Sequence, residues 1–222
     1  MATFIALQNR ANTLIDDSSI ENLVGDFLNQ GVSEIAGGWP SLLDGIANPV
    51  PNTLTPPLPD LLTIDTVDTS IIDAFVAMPA DFQRDLYLVA SSTGRELDIA
   101  HSFIEFIETY PLLDKTGNIS EVIEHGNQLY YQGIPTSSET LTLYYYRKPV
   151  EMVDDDDTPD GIPEHLQISL LVNFACWKAF EYIEDGMEGE IPNTLKFKNS
   201  FLESIRTLEL TLPSYTRGLQ LR

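Results

Sequence analysis

Apolar residues recur at three- and four-residue steps at both ends of the chain and at two-residue steps in its middle. Phe4, Leu7, Ala11 and Leu14 share one face behind Thr3, which predicts a first helix with Thr3 as its N-cap. Ile20, Leu23, Val24, Phe27, Leu28, Val32 and Ile35 repeat with the same period and predict a second helix. Ser18-Ser19-Ile20-Glu21 fits a capping box at its start, with serine and glutamate satisfying free amides reciprocally. Gly37-Gly38 stops it and Trp39-Pro40 follows. In the last third, Leu166, Leu170, Leu171, Phe174, Ala175, Trp177, Ala179, Phe180 and Ile183 form an apolar surface broad enough to be buried on most sides. Pro163 suits the first position of that helix, where its missing donor costs nothing, and Gly186 and Gly189 end it. Asn193 to about Leu212 predicts a final helix carrying Leu195, Phe201, Leu202, Ile205, Leu208 and Leu212, stopped by Pro213.

Between these blocks the pattern changes twice. Pro40, Pro49, Pro51, Pro56, Pro57 and Pro59 make residues 40–70 an extended loop, because proline lacks the amide donor and restricts its predecessor. Residues 71–150 then read mainly as strands. Residues 85–90 and 95–100 flank the turn Ser91-Ser-Thr-Gly94; residues 117–125, 128–132 and 141–146 alternate or are rich in strand formers. Residues 102–110 predict one short helix stopped by Pro111.

The expected fold class is therefore α+β and mainly helical. A helix bundle comes from the N- and C-terminal thirds, with a small antiparallel sheet excursion between them. The segments are 1–39 (helices), 40–70 (loop), 71–150 (sheet with a short helix), 151–189 (acidic loop and buried helix) and 190–222 (last helix and basic tail), in one globular unit.

Charge narrows the partners. Thirty-four acids against twelve bases give −22, which disfavours phosphate neutralisation and an anionic membrane surface. No apolar run reaches membrane-spanning length, and the start has no basic region ahead of an apolar stretch, so neither a membrane anchor nor a signal peptide is expected. One cysteine, Cys176, precludes an intrachain disulfide and suits a reducing cytoplasm. From residue 192 onwards Lys196, Lys198, Arg206, Arg217 and Arg222 outnumber Glu203 and Glu209, giving +3, so the other 191 residues carry −25. Such a basic end can dock on an acidic neighbour, including another copy; a solvated helix face with a frayed end explains the same residues.

Candidate chemistry is sparse. His101, His125 and His165 are scattered, with no second histidine or cysteine at metal spacing, and no phosphate loop or nucleophile elbow is present. Cys176, between apolar neighbours, reads as a core residue. Asp156-Asp157-Thr158-Pro159-Asp160-Gly161 matches the opening of a calcium loop, which makes Asp156 and Asp160 the metal candidates. Position twelve, however, is Gln167 rather than a bidentate glutamate. The competing reading is a surface turn whose acids precede a helix N-terminus. Tyr144, Tyr145 and Tyr146 beside Arg147-Lys148 do not make a base-stacking platform, because successive strand residues face opposite sides. No cofactor and no enzymatic activity are expected.

The order of certain stretches resembles the head-to-tail adaptor (head-completion or connector) proteins of tailed bacteriophages. These stretches are Val32-Ser-Glu-Ile-Ala36 with Trp39-Pro40; Met78-Pro-Ala-Asp-Phe82 and Arg84-Asp-Leu86; Leu129-Tyr-Tyr-Gln-Gly-Ile-Pro135; Leu141 to Pro149; Asp160-Gly-Ile-Pro-Glu-His165; Leu171-Val-Asn-Phe-Ala175; and Tyr182-Ile-Glu-Asp-Gly-Met-Glu-Gly189. The resemblance implies a structural protein of the virion neck, made in the host cytoplasm. It implies a ring, usually of twelve copies, between the portal protein and the tail, a stopper or the next connector, with DNA passing through the lumen without specific binding. On that reading Lys196, Lys198, Arg206, Arg217 and Arg222 dock on the portal or a neighbouring subunit, and truncation after Gly189 leaves a soluble domain. The sheet and the Pro40–Pro59 loop face the next ring or the tail. The alternative function is a calcium-dependent binding or adhesion module using Asp154–Asp160.

Overall fold

In the computed structural model, residues 1–43, 53–184 and 192–212 are described. The fold is α+β, with two compact units: Met1–Leu61 with Lys148–Arg222, and Leu62–Arg147. The first is helical, and the second contains every strand found among the described residues.

The helical unit begins with α1 (Phe4–Ile15), whose buried face is Phe4, Leu7, Ala11 and Ile15. Leu14, expected on that face, is exposed, because the helix turns Ile15 inward before Asp16 leaves it in the left-handed conformation (φ 52°). The capping box at Ser18 does not form. Asp17 instead accepts from the Ser19 amide at 2.8 Å, and a 3-10 turn, Glu21–Leu23, leads into α2 (Val24–Gly37). α2 buries Val24, Leu28, Gly31, Val32, Ile35 and Ala36. At Gly31 a Cβ would lie 2.9 Å from the buried Phe174 ring, so only glycine lets the two helices approach this closely.

The helix after Pro163 is not regular. It starts as α4 (Glu164–Gln167), widens to a π-helical turn over Ile168–Val172, and continues as α5 (Asn173–Ile183). Pro163 sits just outside as the N-cap, not as the first helical residue. Leu170, Leu171 and Val172 of the wider turn are all buried, continuous with Phe174, Ala175, Cys176 and Trp177 of α5. The Ser169 carbonyl accepts from Asn173 Nδ2 (2.6 Å) and from Ser204 Oγ (3.3 Å) of α6 (Pro192–Thr211). α5 packs on α1, α2 and α6. The α6 contribution to the core is Phe197, Phe201, Ile205 and Leu208, whereas Leu195, grouped with them by periodicity, is exposed. Gly186, Gly189 and Pro213, expected to stop these helices, lie outside the described residues.

The strand unit departs from a single antiparallel sheet. Its eight strands are β1 (Leu62–Asp68), β2 (Phe75–Ala77), β3 (Phe82–Ala90), β4 (Arg95–Glu96), β5 (Asp98–Ile99), β6 (Glu121–His125), β7 (Gln128–Tyr131) and β8 (Thr140–Arg147). They form two four-stranded sheets, ordered β1-β8-β3-β4 and β2-β7-β6-β5, and β5 pairs with β6 in parallel. β1 begins inside the stretch expected to be loop. The last proline is Pro59, and past it the segment is free to pair with β8 from Leu62↔Tyr146 to Asp68↔Thr140. The expected strand 95–100 is split at Leu97. Its first half pairs with β3 in one sheet and its second half with β6 in the other, while the Leu97 amide reaches the Leu88 carbonyl at 3.1 Å.

One core serves both sheets: Leu88, Ala90, Leu141, Leu143 and Tyr145 from one, Val122, Leu129 and Tyr131 from the other, and Leu97 from the link between them. The short helix α3 (Phe103–Thr109), capped by the Ser102 hydroxyl, forms where periodicity expects it. The Tyr131 hydroxyl accepts from the Ser70 amide and donates to the Asp73 carbonyl, both at 2.8 Å, tying the β1–β2 connection to β7.

Candidate docking surface

The acidic loop is a built structure. Asp157 Oδ2 accepts from the amides of Val153 (2.7 Å) and Asp154 (2.8 Å), and these bonds hold its carboxyl below its ordinary pKa. The loop's carbonyls point to α1: Phe4 N donates to Asp157 O at 2.8 Å and Ile5 N to Asp155 O at 3.1 Å. The first amides of α1 are thereby satisfied by main chain, and the Thr3 side chain makes no cap bond. The side chains of Asp154, Asp155 and Asp156 stay exposed.

The calcium-loop candidates are placed differently from a cation site. Asp160 Oδ2 accepts from the Val150 amide at 2.9 Å, and Asp156 projects from the surface. Gln167, at position twelve, is buried, accepting from the Ala2 amide (2.9 Å) and donating to the Ile162 carbonyl (3.1 Å), so it does not turn back to the loop. Among the described residues no three His, Cys, Asp or Glu side chains group as metal ligands.

Because Asp157 is a carboxylate with a lowered pKa, the order it gives the loop is complete above the ordinary carboxylate range. That order disappears as pH falls through the lowered folded value. Asp157→Ala is expected to speed amide exchange at Val153, Asp154, Phe4 and Ile5 while leaving the β3–β8 amides protected. Unchanged exchange at Phe4 would show that the carboxylate does not hold the cap.

The basic residues predicted as docking elements fall in two places. Lys196, Lys198 and Arg206 are exposed on α6, whereas Arg217 and Arg222 lie outside the described residues. Lys198 is not alone. Its Nζ stands 5.2 Å from the centre of the Trp177 ring, and Lys178 Nζ of α5 stands 4.3 Å from the same ring. Lys196 Nζ lies 4.9 Å from the Phe197 ring, which stacks on Phe180 at 5.4 Å. Lys178 lies before the basic stretch that starts at residue 192, and its one local signal is the adjacent Trp177; it joins Lys198 through that ring.

Beneath these ammonium groups lies an aromatic cluster in which Trp39, Phe174, Trp177 and Phe201 meet at 5.0 to 6.2 Å. Trp177 Nε1 is buried without a hydrogen-bond partner. Cys176 is fully buried beside this cluster, and burial pushes its thiol up to about 12, which suits a packing residue.

Two buried carboxylates brace the helical unit. Glu184 accepts at α6's first turn from Asn193 N (3.3 Å), Thr194 N (3.1 Å) and Thr194 Oγ1 (2.6 Å). Burial alone would raise its pKa, but the Thr194 and Asn193 bonds outweigh it and the pKa is lowered. Glu209 accepts from the Leu42 amide at 2.8 Å.

In the strand unit the tyrosines alternate as the backbone requires. Tyr145 packs inward on Phe82 and donates to Asp81 Oδ1 at 2.7 Å, while Tyr144 pairs with Tyr87 on the other face. Burial first, and then Asp81, push the Tyr145 hydroxyl well above its ordinary pKa. A shallow polar recess of about 800 Å³ is lined by Ser91, Ser92, Arg95, Ser138 and Glu139, among others. Glu139 is its one carboxylate and accepts from Ser92 Oγ at 2.8 Å, so the recess offers no acid–base pair. Among the described residues no helix is long and apolar enough to cross a membrane.

Comparison with known proteins gives a match to the family described as SU10 adaptor protein, over residues 2–220. No curated protein matches the chain.

Proposed function

The chain belongs to the SU10 adaptor protein family, the structural head–tail adaptors of bacteriophages, and from that premise we propose that it forms a ring joining the capsid portal to the tail. The adaptor role makes it a virion component that meets other head and tail proteins. The observation that carries the reading is the match along nearly the whole chain, including the acidic loop and the helices on either side of it. Charge supports the finer part. A net −22 per copy, repeated around a ring, makes an acidic lumen along which DNA slides without adhering. No metal, cofactor or catalytic step enters this role. Lys196, Lys198, Arg206, Arg217 and Arg222 supply the docking charge toward the portal or a neighbouring copy.

The structure changes how this is tested. Truncation after Gly189 would remove the buried Phe197, Phe201 and Ile205, so it would unfold the helical unit instead of leaving a soluble domain. The cut belongs after Leu212, which removes Arg217 and Arg222 and keeps α6. That shortened chain is expected to stay folded and to lose most of its affinity for purified portal, measured by native mass spectrometry. Wild-type binding by the shortened chain would remove the tail from the docking element. Absence of the protein from the neck of purified particles in cryo-electron micrographs would overturn the reading as a whole.

A further inference from the structure

Lys178, Lys196 and Lys198 are three of the chain's five lysines, in a chain of net −22, and all three stand over aromatic rings of α5 and α6. Lys178 pairs with Glu181 at 3.0 Å. Lys196 and Lys198 are exposed, and no acid within ion-pair distance of either occurs among the described residues. Contact with a ring face holds an ammonium group in place without neutralising it. The Trp177 indole under two of these groups is itself a buried donor with no acceptor, an arrangement that ordinarily calls for a partner.

The complementary surface is on the same unit. Asp154, Asp155 and Asp156 project from a loop whose backbone is fixed by the Asp157 carboxylate and by capping of α1. Their side chains make no ion pair among the described residues, so the loop and the lysines do not neutralise each other within one chain. We propose that the Lys178–Lys198 patch over Trp177 receives the Asp154–Asp156 loop of a second copy. The contact is heterologous: the loop of each copy meets the lysines of the next, and repetition in one direction closes a ring or extends a filament. The ordered, unneutralised carboxylates favour this occupant over nucleic acid, which the surrounding acidic charge repels. The inference rests on the ring reading above and names the contact that would build it.

The full chain tests it by sedimentation velocity from micromolar to millimolar concentration, at low and high salt. Wild type is expected to self-associate, less so as salt rises. Lys178→Glu/Lys198→Glu and Asp154→Lys/Asp156→Lys are each expected to weaken association by about tenfold or more. Mixing the two variants is expected to restore it, because each reversed patch then meets its complement. Circular dichroism melts establish that both variants fold, and Lys178→Gln/Lys198→Gln replaces the first if it does not. A wild type monomeric throughout, variants that associate normally, or a mixture that stays dissociated each overturn the proposal. If these variants fail to matter while the protein still occupies the neck of particles, the contact is wrong and the adaptor role stands.

Discussion

Phe201→Ala is expected to destabilise the helical unit by about 4 kcal/mol, as large aromatic deletions from full burial do. Phe201 is fully buried and is the ring on which Trp39 (5.0 Å), Phe174 (5.2 Å) and Trp177 (5.8 Å) all converge. Alanine leaves a cavity that those rigid rings, drawn from the segment after α2 and from α5, cannot collapse to fill. Against a typical total of about 5–15 kcal/mol this is a large fraction. Urea denaturation followed by tryptophan fluorescence would show a lower midpoint with an unchanged slope. Leu195→Ala is the control. It lies on the same helix, but its side chain is about half exposed, and the expected loss is about 0.5 kcal/mol. Equal losses at the two positions would refute the packing described for α6.

Glu184→Ala is expected to cost about 2 kcal/mol, through loss of a cap that leaves the buried Thr194 amide and the part-buried Asn193 amide unmet. The carboxylate ends α5 and accepts three bonds from Asn193 and Thr194 at the start of α6, where the helix dipole also favours negative charge. Its pKa is lowered in the folded state, so the contribution is complete above the ordinary glutamate range. It is lost as pH falls through the lowered folded value. Wild type and Glu184→Ala should therefore differ most at neutral pH and converge in acid. Melting curves across that range check it, and a difference that persists at the acid end would assign the effect to packing. Glu184→Gln should recover part of the loss, since its amide oxygen still accepts.

Periodicity and turn chemistry carried much of this fold. The α2 register, the α3 helix with its Pro111 stop, the Ser91–Gly94 turn and the alternation in β8 are local properties, readable from spacing alone. The elements misread share a different character. β1 follows six prolines, and the loop signal they give masks the β-branched Thr63, Ile64, Thr66 and Val67 that suit a strand paired with β8. The split at Leu97 depends on two sheets competing for one short segment. The π turn at Ile168–Val172 leaves no mark in the apolar spacing, and its Ser169 carbonyl is met by Ser204 of α6, 35 positions away. The candidate surface follows the same division: the α6 lysines were visible as a charge excess, whereas Lys178 joins them only through the Trp177 ring.

The α+β class, the helical ends, the acidic character and, through the ordered run of motifs from Val32 to Gly189, the adaptor family are legible in residue order alone. These follow from local periodicity, composition and residue order, none of which needs a partner in space. Tertiary structure decided which candidates face which. It turned Asp157 into its own loop, buried Gln167 between Ala2 and Ile162, assigned Glu184 to the start of α6, and brought Lys178 and Lys198 to one Trp177 ring. Such pairings join residues as far apart as Leu42 and Glu209, 167 positions, and only packing chooses among the many contacts that one chain allows.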